Sequence, residues 1–399
     1  MIFNNFWNDL KMVTNLGYEL ELLVLDESFN ETNNADLVIS EAKKQGVSIT
    51  GECSHSMVEV CSIPGTIDVA AKDLVNQLVR LNNVADNLGL KVLPIEMPLN
   101  HDFKPKTRDS PRYEAKKNLL GEDRFEISGK VMGFHIHYDL PNDDEKKMEQ
   151  INFLKLVDPL VISASASSPF EYGGVDYHSW RTHSYRYIVH EELPFQGQLQ
   201  DFDTSYEQYV NEHLENYISF LEMSKKRNID FSKYADEYNS IWGPTRINPT
   251  YNTSEIRSIG STPDLRLLFG ISALIQQGID RIVSDSESNN IYLEILSEMR
   301  NPNEKYNFIQ ALSDDAMKYG FDSATVKNYC KSLIDFCVNS DYVDSSLPFL
   351  RYSKERINLG FSFSDIIANS NTSNQDVYKK LHNTYLNSIE KSKEILENE

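Results

Sequence analysis

Glu19 and Glu21 in Gly17-Tyr18-Glu19-Leu20-Glu21, the acids Glu52 and Glu59, His135 and His137 in Gly133-Phe134-His135-Ile136-His137, and Glu255 in Thr253-Ser254-Glu255-Ile256-Arg257 share one property. Each stands in or beside a segment whose other residues read as β-strand. Side chains two apart on a strand share a face, so Glu19 pairs with Glu21 and His135 with His137. A carboxylate on a core-facing strand is costly unless a cation accompanies it. A divalent metal is the economical companion, and because oxygen donors predominate, Mg²⁺ or Mn²⁺ fits better than Zn²⁺. Cys53 and Cys61, beside Glu52 and Glu59, keep zinc as the minor alternative. Taken singly, each feature also has an ordinary explanation. Glu19 and Glu21 could form a solvent face, either histidine could be a satisfied core residue, and Glu255 with Arg257 could be an ion pair of little weight. Glu59, enclosed in Met57-Val58-Glu59-Val60-Cys61, is the hardest to explain without a partner.

Cations complete the inventory. Arg257 shares a strand face with Glu255, and a guanidinium there can grip a phosphate or carboxylate through two parallel hydrogen bonds. Arg246, on the preceding strand, can approach the same cavity, and Arg181 and Arg186 follow in Ser179-Trp180-Arg181-Thr182-His183-Ser184-Tyr185-Arg186. Lys104, Lys106, Arg108, Arg112, Lys116 and Lys117 occupy a proline-punctuated stretch that reads as solvated surface, from which only Arg112 is taken as a site candidate. No Gly-x-x-x-x-Gly-Lys, Gly-x-Gly-x-x-Gly or Gly-x-Ser-x-Gly motif occurs. Nucleotide phosphates, if bound, would therefore be held by metal and arginine in place of a glycine cradle.

The elements that must position these residues are strands near 17–26, 47–51, 56–63, 91–97, 131–140, 241–248 and 251–260. Helical periodicity is clearest at Thr66–Leu88, and it recurs near 144–166, 205–227, 264–285, 287–299, 303–319, 323–339 and 373–397. The strands do not alternate regularly with helices, and 47–51 with 56–63 and 241–248 with 251–260 pair as hairpins. That predicts an α+β fold with a mostly antiparallel sheet, not a doubly wound parallel one. The expected organisation is a catalytic sheet-bearing body over 1–300 and a helical extension over 301–399 packed on it.

Composition bounds the function. With 40% hydrophobic and 25% charged residues, the 399-residue chain is expected to be globular. Its net charge of −21 opposes nucleic acid and anionic membrane surfaces. Cys53, Cys61, Cys330 and Cys337 form no Cys-x-x-Cys pair, no basic-then-apolar leader is visible, and no stretch reaches the roughly 18 apolar residues of a membrane span. A cytoplasmic location is the expectation.

The motifs, read in order over about residues 15–285, resemble the second glutamate–cysteine ligase family, carboxylate–amine ligases of glutamine synthetase-like fold. Gly17-Tyr18-Glu19-Leu20-Glu21 is similar to that family's Gly-x-Glu-x-Glu strand, Glu52 and Glu59 to its acidic pair, and Arg112-Tyr113 to its Arg-Tyr element. Gly133-Phe134-His135-Ile136-His137 resembles its Gly-x-His-Val-His strand. The most specific match is Ile162-Ser163-Ala164-Ser165-Ala166-Ser167-Ser168-Pro169-Phe170, similar to Leu-Ser-Ala-Ser-Ser-Pro-Phe, followed by Ser179-Trp180-Arg181 for Ser-Tyr-Arg. Arg246 and Ser254-Glu255-Ile256-Arg257 resemble its Arg and Thr-x-Glu-x-Arg. Two departures, Tyr138-Asp139 after the second histidine and Gly174-Val175-Asp176-Tyr177-His178 before Ser179, are expected to lie near the substrate pocket and to bear on specificity.

The resemblance implies an ATP-dependent ligase with Mg²⁺ or Mn²⁺, in which a substrate carboxylate attacks the γ-phosphorus and an amine then displaces phosphate from the acyl phosphate. It implies Glu19, Glu21, Glu52, Glu59, His137 and Glu255 as metal ligands, Arg257 and Arg246 as stabilisers of the transferring phosphoryl group, and Arg181, Arg112 and His135 as substrate or phosphate contacts. The partners it implies are small molecules: ATP, glutamate or a similar acid, and an amino acid amine. Homo-oligomerisation stays open. Two alternatives remain: a guanidino kinase-like phosphotransferase, and a binding protein that has lost turnover.

Overall fold

The computed structural model of the chain describes residues 14–193, 195–284, 301–338 and 347–398. Its centre is β1, Leu16–Asp26 (LGYELELLVLD), an eleven-residue strand whose β-branched and leucine-rich half is buried on both faces. Around it assemble β2 (Ile49–Gly51), β3 (Met57–Cys61), β4 (Leu90–Leu93), β5 (Phe134–Asp139), β8 (Thr245–Asn248) and β9 (Thr253–Ile256) in one seven-stranded sheet. The order is β2-β3-β1-β5-β9-β8, with β4 pairing the far end of β1, and every pairing is antiparallel. The α+β class and both expected hairpins are present. A two-stranded hairpin of β6 (Phe170–Tyr172) and β7 (Val175–Tyr177), unforeseen from the sequence, turns on Gly173 and Gly174, whose φ values of 60° and 80° favour glycine.

Period-2 alternation gives the sheet two unlike faces. Tyr18, Leu20, Phe134, Ile136, Tyr138 and Ile256 point one way and are buried. Tyr18 stacks on Phe134 with centroids 5.1 Å apart, and its hydroxyl lies 2.7 Å from Ser272 Oγ on the helix Leu265–Ser284. Helix Ile67–Asn87 presents Ala70, Ala71, Leu74, Leu78, Leu81 and Ala85 at helical spacing to the same core. The helices Pro302–Tyr319, Ala324–Cys337, Leu347–Leu359 and Asn374–Glu397 contribute Ile309, Leu333, Phe349 and Tyr385 to it. At 25 cal/mol per Å², each such side chain contributes about 1.5–3 kcal/mol, so the inner face carries the stability and leaves the outer face free for polar residues.

The stretch 144–166 is two helices, Asp144–Leu156 and Asp158–Ser165, broken where Pro159 cannot donate to the preceding turn. The helix expected near 287–299 lies outside the described residues.

Candidate active site

The register of the sheet decides which polar residues meet. Across β1 and its neighbours, Glu21 is opposite Glu59, and Glu19 is opposite His135. His137 is opposite Glu255, and Glu255 is opposite Arg246. Strand parity places all of them on the face away from the apolar core. Glu52 follows β2 and turns back toward Glu59 and Glu21, so that ligand atoms of the three carboxyl groups lie within 4.8 Å of one another.

Glu19 bridges both histidines, with its Oε2 3.2 Å from His135 Nδ1 and its Oε1 3.2 Å from His137 Nε2. Glu255, wholly buried, accepts from Arg246 Nε at 2.6 Å and lies 2.8 Å from Arg257 Nε. On this sheet face two further sets of donor atoms fall within 4.8 Å: Glu19, Glu59 and His135, and Glu19, His137 and Glu255. Glu19 and Glu59 therefore link three overlapping triads into one continuous constellation.

Electrostatics divides the constellation into two halves. Burial pushes the Glu255 carboxyl up, but Arg257 and Arg246 overcome it and hold the group down at about 2. Glu19 is likewise held well below the carboxylate range: burial raises it, but hydrogen bonds and charge from His135 and His137 dominate. In the other half burial wins. Glu21 is raised to about 8 by burial and the charge of Glu52, and Glu59 is raised well above the usual range by burial and then by Glu52, Glu19 and Glu21. Glu52 is raised as well, by burial first. Among the described residues no Lys or Arg ion-pairs with Glu21, Glu52 or Glu59 within 4.0 Å. His137 Nε2 and Glu255 Oε1 are buried without a hydrogen-bond partner despite their close ionic neighbours. Like charges held together, orphaned donor atoms and an oxygen-rich set are what hard divalent cations require, so the residues fit Mg²⁺ or Mn²⁺.

The constellation floors a cavity of about 340 Å³. Arg112, Lys116, Arg181, Arg246 and Arg257 project into it from other walls, and Tyr113, Phe125, Tyr185 and Trp242 supply an aromatic side. Arg257 packs over the Trp242 ring, 5.5 Å from its centroid. Arg181 is buried, its guanidinium donating to Arg257 O at 3.2 Å and Ser258 O at 3.5 Å. Arg112 donates to Asn239 O at 2.8 Å. All eleven residues singled out from the sequence belong to this one region: nine line the cavity, and His137 and Glu255 lie directly beneath Glu19 and the two arginines.

Other placements differ from expectation. Arg186 does not reach the cavity; it forms two hydrogen bonds to buried Asp158, at 3.0 and 2.8 Å. Lys116, assigned to the solvated run, lines the cavity, and burial lowers its ammonium to about 8. The signal was present: Arg112 and Lys116 are four apart on the helix Pro111–Leu120 and so share a face. Lys104 and Lys106 are exposed as expected, and Arg108 pairs with Asp36. The departure at 174–178, carried on the β6–β7 hairpin, is absent from the cavity walls. It folds onto its own aromatic cluster, with Trp180 at 4.9 Å from both Phe170 and Tyr172, and docks by the His178 and Ser179 amides on Met317 O. Tyr138, the other departure, points into the core and donates to Ser272 O. A buried acid that sequence reasoning passed over, Glu96, stands behind Arg181.

The molecule thus combines an antiparallel sheet bearing one acid-and-histidine face with a wall of arginines and a backing of helices. Residues 15–331 match the glutamate–cysteine ligase family 2 (GCS2), and the chain belongs to that family. Among curated relatives, a protein provisionally described as glutamate–cysteine ligase 2-1 of Frankia alni is 24% identical over 277 residues, 67% of each chain. A similarly described glutamate–cysteine ligase 2 of Thermobifida fusca is 25% identical over 288 residues, covering 68% of this chain and 65% of its own. Among solved structures, glutamate–cysteine ligase of Francisella tularensis in complex with AMP superposes with a TM-score of 0.61 at 13% identity, over 97% of this chain and 95% of that one. The bifunctional glutathione synthetase of Pasteurella multocida gives a TM-score of 0.58 at 13% identity, over 94% of this chain and 52% of that one. These two likenesses establish the shared fold.

Proposed function

We propose that the protein is an ATP- and Mg²⁺-dependent carboxylate–amine ligase that activates a small acid, glutamate in the first instance, and joins it to the amine of an amino acid. The observation that carries this reading is the meeting, on one sheet face, of an uncompensated carboxylate cluster with Arg246 and Arg257 across one cavity. Family membership and the AMP complex of the Francisella protein support an adenine nucleotide as co-substrate.

Glu19, Glu21, Glu52, Glu59, His137 and Glu255 would hold the divalent ions, whose contribution is to neutralise phosphate charge and align the polyphosphate. Phosphoryl transfer asks a protein for positioning and electrostatic stabilisation more than for covalent help. Arg257 and Arg246, fixed by Glu255, carry positive charge toward the phosphoryl group as it passes to the substrate carboxylate. Arg181, Arg112 and Lys116 orient the acid, with His135 beside Glu19 as a further contact. The amine then attacks the acyl phosphate, forming the amide and expelling phosphate, while the aromatic wall of Tyr113, Tyr185 and Trp242 keeps water from competing. No helix among the described residues is long and apolar enough to cross a membrane.

The test is ADP release by the purified chain with ATP, Mg²⁺ and glutamate, with and without cysteine and a panel of other amines, followed by product mass. Metal-dependent ADP release with an amide product supports the ligase. A phosphorylated product without an amide would make the protein a phosphotransferase, and nucleotide binding without turnover across the panel would make it a binding protein.

A further inference from the structure

Glu96 is fully buried, and among the described residues no Lys or Arg pairs with it within 4.0 Å. Isolated buried carboxylates are costly unless several donors satisfy them. Here three donors do so, and all come from the segment that leads to Arg181. Ser167 N–H and Ser168 Oγ–H reach Oε2 at 2.9 and 2.6 Å, and Ser179 Oγ–H reaches Oε1 at 2.9 Å. The Glu96 amide in turn donates to Ser167 Oγ at 3.0 Å. Two of these donors bear on Arg181 directly. Ser168 Oγ, oriented by Glu96, accepts the Arg181 amide at 3.0 Å. Ser179 caps the short helix Trp180–His183 that carries Arg181, accepting from Thr182 N–H.

The far end of the arginine is fixed through Ser167, whose amide donates to the same carboxylate and whose Oγ accepts the Glu96 amide. Ser167 Oγ donates to Ser261 O at 2.9 Å, Ser165 Oγ accepts from Gly260 N–H at 2.7 Å, and Gly260 has no room for a Cβ against Glu96 Oε1. This holds the turn after β9, whose Arg257 and Ser258 carbonyls receive the Arg181 guanidinium. Ser261 Oγ donates to Glu21 O, and the Gly133 amide donates to the Glu21 carboxylate. A Cβ at Gly133 would collide with Arg181, so the arginine is seated against the strand that borders the acidic cluster. One buried acid thus links the backbone that presents Arg181, the carbonyls that receive it and the strand end beside Glu21.

We infer that Glu96 is a positioning residue for the active site: it sets Arg181 over the Glu21 edge of the acidic cluster by clamping Ser167, Ser168 and Ser179. It touches no substrate itself. What Arg181 does in turnover rests on the ligase reading; the clamp does not.

The experiment compares wild type, Glu96→Gln, Arg181→Ala and the double variant. Each is followed by thermal melting, by amide hydrogen exchange of peptides spanning 167–183, and by kinetics with ATP, Mg²⁺, glutamate and whichever amine supports turnover. The glutamine keeps the size of Glu96 but turns an NH₂ toward hydroxyl donors. Expected are a fully cooperative melt, exchange over 167–183 faster by at least about 10-fold, and a rise in KM for the acid matching that of Arg181→Ala. The double variant should lose no more than Arg181→Ala alone, because residues that act through one another are non-additive. Unchanged exchange, or losses that multiply in the double variant, would overturn the inference. So would a fall in kcat at constant KM, which is what a shrinking active fraction gives. If Glu96→Gln does not fold, Ser168→Ala and Ser179→Ala each remove one donor and are read the same way. Should wild type release no ADP, the ligase reading fails, while the exchange data still decide the clamp.

Discussion

Asp158 and the Glu21–Glu52–Glu59 group are both buried carboxylate systems, yet they are built on opposite principles. Asp158 receives two parallel hydrogen bonds from Arg186 and a third from Ser313 Oγ at 2.7 Å, and both charged residues are wholly enclosed. It also opens the helix Asp158–Ser165, where the macrodipole favours a negative charge. Both Asp158 oxygens are satisfied by donors. Glu21, Glu52 and Glu59 instead face one another, raised by burial and mutual repulsion. A protein rarely retains such an arrangement for stability. The contrast separates a carboxylate whose charge is matched within the fold from a group of carboxylates whose repulsion a bound cation would relieve.

The largest effects should fall where the constellation is shared between triads. Glu19→Gln and Glu255→Gln should each reduce ATP turnover of the folded protein by on the order of 10³-fold or more, comparable to losing a strong electrostatic stabiliser, and Glu255→Gln should also lower the melting temperature, because it leaves Arg246 and Arg257 without their buried partner. ADP release with saturating Mg²⁺ measures it. Retained turnover in either variant would end the metal assignment.

Asp158→Asn should do the reverse. Breaking one side of an enclosed ion pair leaves a buried guanidinium uncompensated, costing about 3–5 kcal/mol. Calorimetry should register a large fall in melting temperature, while the kcat of the folded fraction stays near wild type. Loss of kcat without loss of stability would erase the distinction drawn between the two sites.

Arg257→Lys sharpens the comparison on its cationic side. Lysine keeps the charge but cannot place two fixed donors or stack on Trp242. About 10- to 100-fold is expected off kcat/KM, with KM for ATP and for the acid measured separately. Activity within a few-fold of wild type would mean that charge alone suffices there.

The same physical contrast explains how much the sequence disclosed. Period-2 alternation makes acids and histidines on strands conspicuous, and every strand bearing Glu19, Glu21, Glu59, His135, His137 or Glu255 was legible for that reason. Their convergence depended on register, which the resemblance supplied and local pattern could not. Arg186 was misplaced because a cation in sequence carries no sign of its partner; Asp158 is 28 residues away. Lys116 was hidden by its neighbours, since a run of six cations reads as surface even when one helical face turns inward. Glu96 was missed although it stands in the apolar run Val92-Leu93-Pro94-Ile95-Glu96-Met97, the same setting that drew attention to Glu59. The departures at 138–139 and 174–178 adjoin the site motifs in sequence, but adjacency along the chain does not set proximity to the cavity. Folding turned one into the core and the other onto the helix Pro302–Tyr319.

The smallest effect is the most discriminating. In metal-free protein Glu59 sits among like charges, so Glu59→Gln should raise stability by about 1 kcal/mol, the order expected for relieving one buried like-charge contact. In wild type, Mg²⁺ at 100 times its dissociation constant should add about 2.7 kcal/mol through preferential binding to the folded state. The variant should gain much less from the same Mg²⁺, because a neutral amide supplies neither the charge nor the second oxygen. The stability order of the two proteins should therefore invert between EDTA and excess Mg²⁺, and urea melts in both conditions would reveal it. A purely structural acid like Asp158 cannot give that inversion: its substitution destabilises the fold whether or not metal is present. If Glu59→Gln is destabilising in EDTA as well, Glu59 belongs with Asp158, and the cluster must be narrowed to the triad of Glu19, His137 and Glu255.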